Sequence, residues 1–299
     1  MPLVQRMRQA SHHLTWWVGT RFPGAVPLVF VLGYPKSGTT WACQLVADYL
    51  QIPFPRFSIF PIGCEAVVHG HEAVTRRYPR GVYCLRDGRD ALVSLYFHLA
   101  RSIPEGDHPI LTPAQRRAFP GMRNKADVRA NLPAFLEAQF RCPHATRLHW
   151  GRHVEAYLDA RHPRFPALRY EDLKSDGPRA LGAAMAALTG EPADPERARQ
   201  AVERFSFAAQ SRKKPGQAHA KYLRKGETGD WRNHFTRAAA EVFDRYAGDA
   251  LVRAGYEPDR AWVERCAAEA AAGGASAGGA ETPSAGRAVG AGGGMGASA

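Results

Sequence analysis

The residues best suited to chemistry lie between a predicted strand and a predicted helix, at 33–41. Val29-Phe30-Val31-Leu32 is apolar and rich in β-branched side chains, which predicts a buried strand of a parallel sheet. Apolar residues then recur at helical spacing from Trp41 to Leu50. In that order the loop amides and the helix N-terminus converge on one point, which favours an anion. The candidate ligand-binding residues of this stretch are Pro35, Lys36, Ser37, Gly38, Thr39, Thr40 and Trp41.

The side chains of this loop suit a phosphate or a sulfate, because Lys36 supplies a positive charge and its hydroxyl neighbours supply donors. A nucleoside-triphosphate loop reads G-x-x-x-x-G-K-[ST], with the lysine after the second glycine. Here Lys36 precedes Gly38 and no G-K-[ST] follows, so that pattern does not match. Residues 34–41 instead resemble the 5′-phosphosulfate loop of the cytosolic-type sulfotransferases, which use 3′-phosphoadenosine 5′-phosphosulfate (PAPS).

Two histidines follow the next short apolar run, Ala66-Val67-Val68. Histidine titrates nearest neutrality, so it is the default general base for a hydroxyl. In the sulfotransferases a short strand ends in lysine-threonine-histidine, and the histidine is the catalytic base. The resemblance puts His71 at the position of the base and His69 at the position of the lysine. The lysine and threonine are missing here, so His69 stays open as the alternative base.

Arginines after a second predicted strand, Gly81 to Leu85, indicate a further anion site. A charged turn and a predicted helix follow, which places arginine side chains at the edge of a parallel sheet where ligands of open α/β folds bind. The planar fork of arginine can hold two phosphate oxygens at once. The block resembles the 3′-phosphate motif of the family, whose arginine and serine fall on Arg86 and Ser94.

Three later blocks extend the resemblance over roughly residues 25–260. Residues 170–173 match a tyrosine-glutamate-aspartate-leucine signature whose tyrosine, here Tyr170, lies near the adenine. Ser206 and Phe207 resemble the serine-phenylalanine contact to adenine. Arg224-Lys225-Gly226, followed by glycine-aspartate-tryptophan at 229–231, matches the block that closes over the cofactor and holds its 3′-phosphate.

The composition of the chain limits the kinds of protein it could be. The chain has 299 residues, 45% of them hydrophobic and 23% charged, as in an ordinary soluble globular protein. Its net charge of +12 suits nucleic acid, an anionic membrane surface or anionic small ligands. Five scattered cysteines suggest neither a disulfide framework nor a zinc site. Finding neither a leader nor an apolar run long enough to cross a bilayer, we expect a cytoplasmic protein.

We predict an α/β protein in which one domain, 23–265, has a central parallel sheet flanked by helices. An N-terminal arm at 1–22 should pack against it, and an Ala/Gly-rich tail at 266–299 should be disordered. Residues 101–125, irregular and rich in proline, are a candidate lid on the substrate side.

The resemblance implies transfer of the sulfuryl group of PAPS to a hydroxyl, or an amine, of a small-molecule acceptor. It implies no metal, since lysine and arginine supply the positive charge, and no nucleic-acid partner. Two alternatives remain: a P-loop nucleotide kinase or phosphotransferase, and a non-enzymatic nucleotide binder. A homodimer also stays open, because the dimer motif of the family is degenerate here.

Overall fold

The computed structural model describes residues 3–56, 58, 60, 62–206 and 226–266. Its sheet is parallel throughout and has the strand order β2-β1-β3-β4. The strands are β1 (Val29–Gly33), β2 (Val67–Gly70), β3 (Gly81–Leu85) and β4 (Ala167–Arg169). The prediction of an α/β fold with a central parallel sheet is confirmed.

Helices connect and cover the strands. Before β2 lie α1 (Leu3–Arg21) and α2 (Thr39–Leu50). Between β3 and β4 lie α3 (Gly88–Ala100), α4 (Pro113–Ala118), α5 (Val128–Arg141) and α6 (Trp150–Ala160). After β4 come α7 (Tyr170–Ser175), α8 (Gly177–Thr189), α9 (Pro195–Arg204), a 3-10 helix at Asp230–Asn233 and α10 (Arg237–Arg253). Among the described residues, no helix combines the length and the apolar character needed to cross a bilayer.

The two faces of the sheet bury two separate cores, because successive side chains of a strand point to opposite sides. Val29 and Val31 pack with the apolar faces of α2 and α8. Phe30 and Leu32 pack into the larger core, to which α5, α6 and α10 contribute. β1 is buried along its whole length, which explains its continuous apolar run. The sheet therefore holds the loops at its carboxyl edge on a rigid base.

Two segments are more regular than the sequence suggested. Residues 101–125, expected to be irregular, contain α4, where Thr112 and Gln115 form a reciprocal capping box and Pro113 opens the helix. That start signal was missed among the surrounding prolines.

The N-terminal arm is the helix α1, whose Trp16 ring lies 5.2 Å from that of Phe30. From residue 267 onward, the tail lies outside the described residues.

A buried arginine ties the start of α3 to the C-terminal part of the domain. Arg89 pairs with Asp87 at 2.7 Å and with Glu257 at 2.6 Å. Its guanidinium carbon also lies 3.8 Å from the ring centre of Trp231 and 4.9 Å from that of Trp262. Arg89 is 2% exposed, so its charge is compensated almost entirely by protein groups. This arginine is a structural link and is not available to a ligand.

Replacing Arg89 with alanine should lower the free energy of unfolding by about 3–5 kcal/mol, because the buried carboxylate of Asp87 loses its cation and the half-buried Glu257 keeps only the exposed Arg265. The matched control is Arg265→Ala, which removes an exposed partner of the same Glu257 and should cost at most about 1 kcal/mol. Urea unfolding of both variants measures the difference. Equal losses in the two variants would show that Arg89 does not link these segments.

Candidate functional site

The loop after β1 has a backbone shaped to present its amides. Lys36 and Gly38 both have positive φ, at 71° and 84°. Gly38 is the N-cap of α2 and provides no side-chain cap. The first amides of α2 are therefore left to a partner outside the helix, as at helix ends that bind anions.

Buried donors around this loop lack partners among the described residues. They are the hydroxyl of Ser37, Nε1 of Trp41 and Nε of Arg86. A buried donor without a partner costs free energy, so three of them in one region call for a ligand that supplies acceptors. Phosphate and sulfate oxygens are acceptors of this kind. The residues present fit an anionic nucleotide.

His71 is held at the same edge of the sheet. Its Nδ1 lies 2.8 Å from the carbonyl oxygen of Gly33, the last residue of β1. A carbonyl only accepts, so Nδ1 carries the hydrogen and Nε2 of the neutral ring keeps its lone pair. No described residue hydrogen-bonds to that Nε2. Burial lowers the pKa of His71, helped by the charges of Lys36 and Arg56 and opposed by the Gly33 carbonyl and Glu72.

His69 has a different environment, inside β2. Its Nε2 lies 3.0 Å from the Thr39 hydroxyl, at the start of α2. Burial, with a smaller contribution from His71, lowers its pKa to about 3. The two imidazole rings are nearly perpendicular, with centres 4.7 Å apart. His69 is thus a neutral ring whose ε nitrogen already has a partner.

Arg86 connects the loop to the segment after residue 225. Nη1 donates to the Lys36 carbonyl at 3.0 Å, and Nη2 donates to the Glu227 carbonyl at 3.2 Å. The guanidinium carbon lies 4.2 Å from the ring centre of Tyr170. Two of its nitrogens are therefore engaged with the backbone, and Nε is the donor without a partner.

Tyr170 completes an aromatic group beside the loop. It begins α7, is buried, and meets Trp41 edge-on at 5.8 Å. A Cβ at Gly38 would lie 2.8 Å from the Tyr170 ring, so a glycine is needed there for packing as well as for its φ. The structure thus brings together Arg86, Tyr170 and the pair Lys36 and Trp41, which the sequence had placed in three separate blocks.

Comparison with known proteins identifies the family of the chain. The family model described as sulfotransferase domain matches residues 67–255, more than half of the chain. The chain belongs to the sulfotransferase family. The prediction of a PAPS-dependent sulfotransferase, made from short motifs, is confirmed.

Similar proteins agree with this assignment. Mouse sulfotransferase 2A2 is 26% identical over 269 residues, which cover 77% of this chain and 85% of that protein. The 3-alpha-hydroxysteroid sulfotransferase of Cavia porcellus is 27% identical over 271 residues, covering 78% and 86%. Mouse sulfotransferase SULT7A1 complexed with PAP has a TM-score of 0.55 at 19% identity, covering 82% and 88%. Retinol dehydratase in complex with androsterone and PAP gives 0.52 at 20% identity, covering 75% and 80%. These two structures share the fold.

Two residues that the sequence did not single out support His71 in this sulfotransferase. His153, on α6, has its Nε2 3.1 Å from the carbonyl oxygen of His71, and the Thr146 hydroxyl donates to the same oxygen at 3.0 Å. The Tyr83 hydroxyl lies 2.8 Å from Nδ1 of His153. Burial lowers the pKa of His153 to about 4, so its ring is neutral. Two donors therefore fix the backbone of His71, and no spacing pattern marked either of them.

The carboxylate of Asp90 holds the 229–231 segment against α3. Oδ2 accepts from the amide of Gly229 at 2.7 Å, and Oδ1 accepts from the amide of Trp231 at 2.9 Å. Ser94 lies one turn further along the same face of α3 and is half-buried. Trp150 supports the preceding turn, where its Nε1 donates to the Arg86 carbonyl at 3.1 Å.

Some predicted site residues lie at the limit of the described chain or beyond it. Phe207, Arg224 and Lys225 are outside the described residues. Gly226 has a φ of 69°, and Ser206 is half-buried after α9. Among the residues that are described, no group of three or more His, Cys, Asp or Glu side chains could hold a metal ion.

The packing of Gly38 against Tyr170 can be tested with two glycines of similar backbone. Gly38→Ala and Gly190→Ala both place a side chain at positive φ, which should cost about 1–2 kcal/mol in each case. A Cβ at Gly190 meets nothing within 4 Å, whereas one at Gly38 overlaps the Tyr170 ring. We expect Gly38→Ala to cost about 1–3 kcal/mol more in urea unfolding. If the two variants are equally stable, the loop does not depend on this contact.

Proposed function

We propose that this enzyme transfers the sulfuryl group of PAPS to a hydroxyl of a small-molecule acceptor, with His71 as the general base. One observation carries the proposal: the His71 ring is anchored to the carbonyl of Gly33, from which the phosphosulfate loop begins. The base and the loop therefore share one fixed point. Such positioning is the main requirement for an in-line transfer between two bound groups.

The loop residues neutralise negative charge on the donor. PAPS, when bound, supplies a sulfuryl group activated by its attachment to a phosphate. Lys36 provides a cation, and the α2 amides with Thr39 and Thr40 provide hydrogen-bond donors on the same side. The charge of Lys36 also lowers the pKa of His71, which indicates that both groups act on one region.

His71 is preferred to His69 as the base for two reasons. The hydrogen bond from Nδ1 leaves the Nε2 lone pair of His71 available to take a proton. The ε nitrogen of His69 is paired with Thr39, and a pKa of about 3 makes it a weak base near neutral pH. His69 then has a structural role, in which it fixes the Thr39 side chain at the start of α2.

The nucleotide is proposed to lie along the edge formed by Arg86 and Tyr170. Arg86 and Ser94 would hold the 3′-phosphate, together with Arg224, Lys225 and Gly226. Trp41, Tyr170 and Phe207 would contact the adenine, with Ser206 beside them. The unpaired Nε of Arg86 and Nε1 of Trp41 support this placement, because both are buried donors that need an acceptor.

The acceptor is proposed to be a small alcohol. One similar protein is named for a hydroxysteroid, and a structure with the same fold contains androsterone. A neutral alcohol needs a base to remove its proton as the new bond to sulfur forms, and His71 supplies one. Steroid alcohols are therefore the first acceptors to assay with this enzyme.

The 3′-phosphate site predicts a preference between two nucleotides. PAP (3′-phosphoadenosine 5′-phosphate) should raise the melting temperature more than 5′-AMP, which lacks the 3′-phosphate, and ATP with Mg²⁺ should have little effect.

Ser94→Ala should weaken PAP binding roughly tenfold and leave 5′-AMP binding unchanged, because only one hydroxyl contact to a charged group is lost. Ser175→Ala, an exposed serine on α7, is the matched control. Equal affinity for PAP and 5′-AMP in the native enzyme would refute the donor assignment.

The base assignment predicts different outcomes for the two histidines. His71→Ala should lower kcat/KM by a factor of roughly 10² to 10⁴, while PAP binding by calorimetry stays intact. His69→Ala should reduce the rate less, because that ring acts through Thr39. An inactive His69→Ala beside a fully active His71→Ala would reverse the assignment.

The pH profile gives a second readout of the same base. The active form of His71 is neutral, and its pKa is lowered from 6.5, so kcat/KM should stay level near neutrality and fall only below pH 6.5. His71→Ala should lose this acidic limb. A limb centred above pH 6.5 would mean that another group titrates.

A further inference from the structure

The helix α1 packs with its small residues inward and its large apolar residues outward. The residues it buries are Ser11, Thr15 and Gly19. Eight large hydrophobic residues are exposed in the described part of the chain, and six of them lie between residues 3 and 22. These six are Leu3, Val4, Met7, Leu14, Trp17 and Phe22. Such a concentration distinguishes α1 from the scattered apolar residues of an ordinary surface.

Four of these residues form one line along the helix, which we call the α1 stripe: Leu3, Met7, Leu14 and Trp17. Their spacings of four, seven and three residues place them on a single face. Their exposed fractions are 73%, 40%, 45% and 57%. An apolar face of this length on a surface helix is unfavourable in water.

The charged side chains of α1 itself are all positive. Arg6 and Arg21 are exposed on α1, which also carries Arg8 and has no acidic residue. The first acidic residue of the whole chain is Asp48. Two more exposed arginines, at 76 and 77, precede Tyr78, whose ring lies 5.4 Å from that of Trp16. The carboxylate of Glu72 also lies beside α1, where it acts on His12, so arginines predominate around the α1 stripe but are not alone there.

We propose that α1 binds the surface of an anionic membrane, with the α1 stripe in the boundary between head groups and acyl chains. A helix with Leu and Trp on one face and arginines beside it has the properties of interfacial helices. Lipid head groups of negative charge complement the arginines. A second copy of the chain would instead bring the arginines of two α1 helices together, and neither helix carries a carboxylate of its own.

The helix is attached firmly enough to carry the domain to such a surface. The Thr15 hydroxyl accepts from the amide of Ile62 at 3.0 Å. Gly70, the last residue of β2, packs directly against the Trp16 ring. Because β2 also contains His69 and is followed by His71, membrane binding through α1 would position the acceptor side of the enzyme relative to the lipid.

Flotation of the full chain with vesicles tests this proposal. We expect at least about tenfold more protein with vesicles of phosphatidylcholine and 30% phosphatidylserine than with phosphatidylcholine alone, because several arginines contribute. Raising the salt concentration to 0.5 M should reduce the difference. Equal recovery with both kinds of vesicle, or recovery with neither, would overturn the proposal.

Two pairs of variants locate the contact. Leu14→Ser with Trp17→Ser should abolish flotation, whereas Ile110→Ser, at a site 91% exposed elsewhere, should not. Arg6→Glu with Arg21→Glu should abolish binding to anionic vesicles, whereas Arg117→Glu with Arg129→Glu, the same change in net charge on α4 and α5, should retain most of it. Melting temperatures show whether each variant is folded. If the variant with Leu14→Ser and Trp17→Ser does not fold, the variant with Arg6→Glu and Arg21→Glu decides whether α1 binds the membrane.

Light scattering in solution tests the other partner that α1 could bind, a second copy of the chain. A wild-type dimer that becomes a monomer in the Leu14→Ser, Trp17→Ser variant, without vesicle binding by either, would show that α1 is an interface between copies. A wild-type protein whose mass does not depend on the α1 stripe, and which floats with anionic vesicles, supports the membrane assignment.

Discussion

The hydrogen bond between His71 and Gly33 is the interaction on which the arrangement of the site depends. It joins the residue after β2 to the last residue of β1, and these strands pair in parallel with Leu32 opposite Gly70. Parallel strands end at the same edge, so the register alone brings His71 to the level of the loop. The bond then fixes which ring nitrogen carries hydrogen. A change in the register of β1 and β2 would move His71 away from the loop and, by breaking this hydrogen bond, would also remove the preference for its tautomer.

Two arginines near the start of α3, Arg86 and Arg89, differ in their partners. Arg89 is enclosed by carboxylates and tryptophan rings, so its charge is satisfied within the protein. Arg86, three residues earlier, bonds to carbonyls and an aromatic face and has no carboxylate partner in the described residues. Carbonyls neutralise a guanidinium less than carboxylates do, so the charge of Arg86 is less compensated by its direct partners than that of Arg89. The sequence shows two similar arginines, and only their partners distinguish them.

Prediction from the sequence succeeded where a local pattern has one physical meaning. The apolar run Val29 to Leu32 and the glycines after it indicated β1 and the loop, because a short β-branched run bounded by turn residues is typical of a buried strand. It did not predict the contacts of His153 and Trp150, which reach residues 82 and 64 positions away. The sequence could not reveal them, since a buried helical position looks alike whether its polar atom has a partner or not. The inverted packing of α1 was missed too, because apolar spacing does not say which face is buried.

The loop after β1 contains two unfavourable features. Lys36 takes a positive φ without being glycine, and the hydroxyl of Ser37 is buried without a described partner. Each feature costs on the order of 1 kcal/mol or more. The loop can persist only because β1, the two cores and the contact of Gly38 with Tyr170 determine its path on both sides. A ligand that supplies acceptors to these donors offsets the same costs, so part of its affinity is built into the fold before it binds.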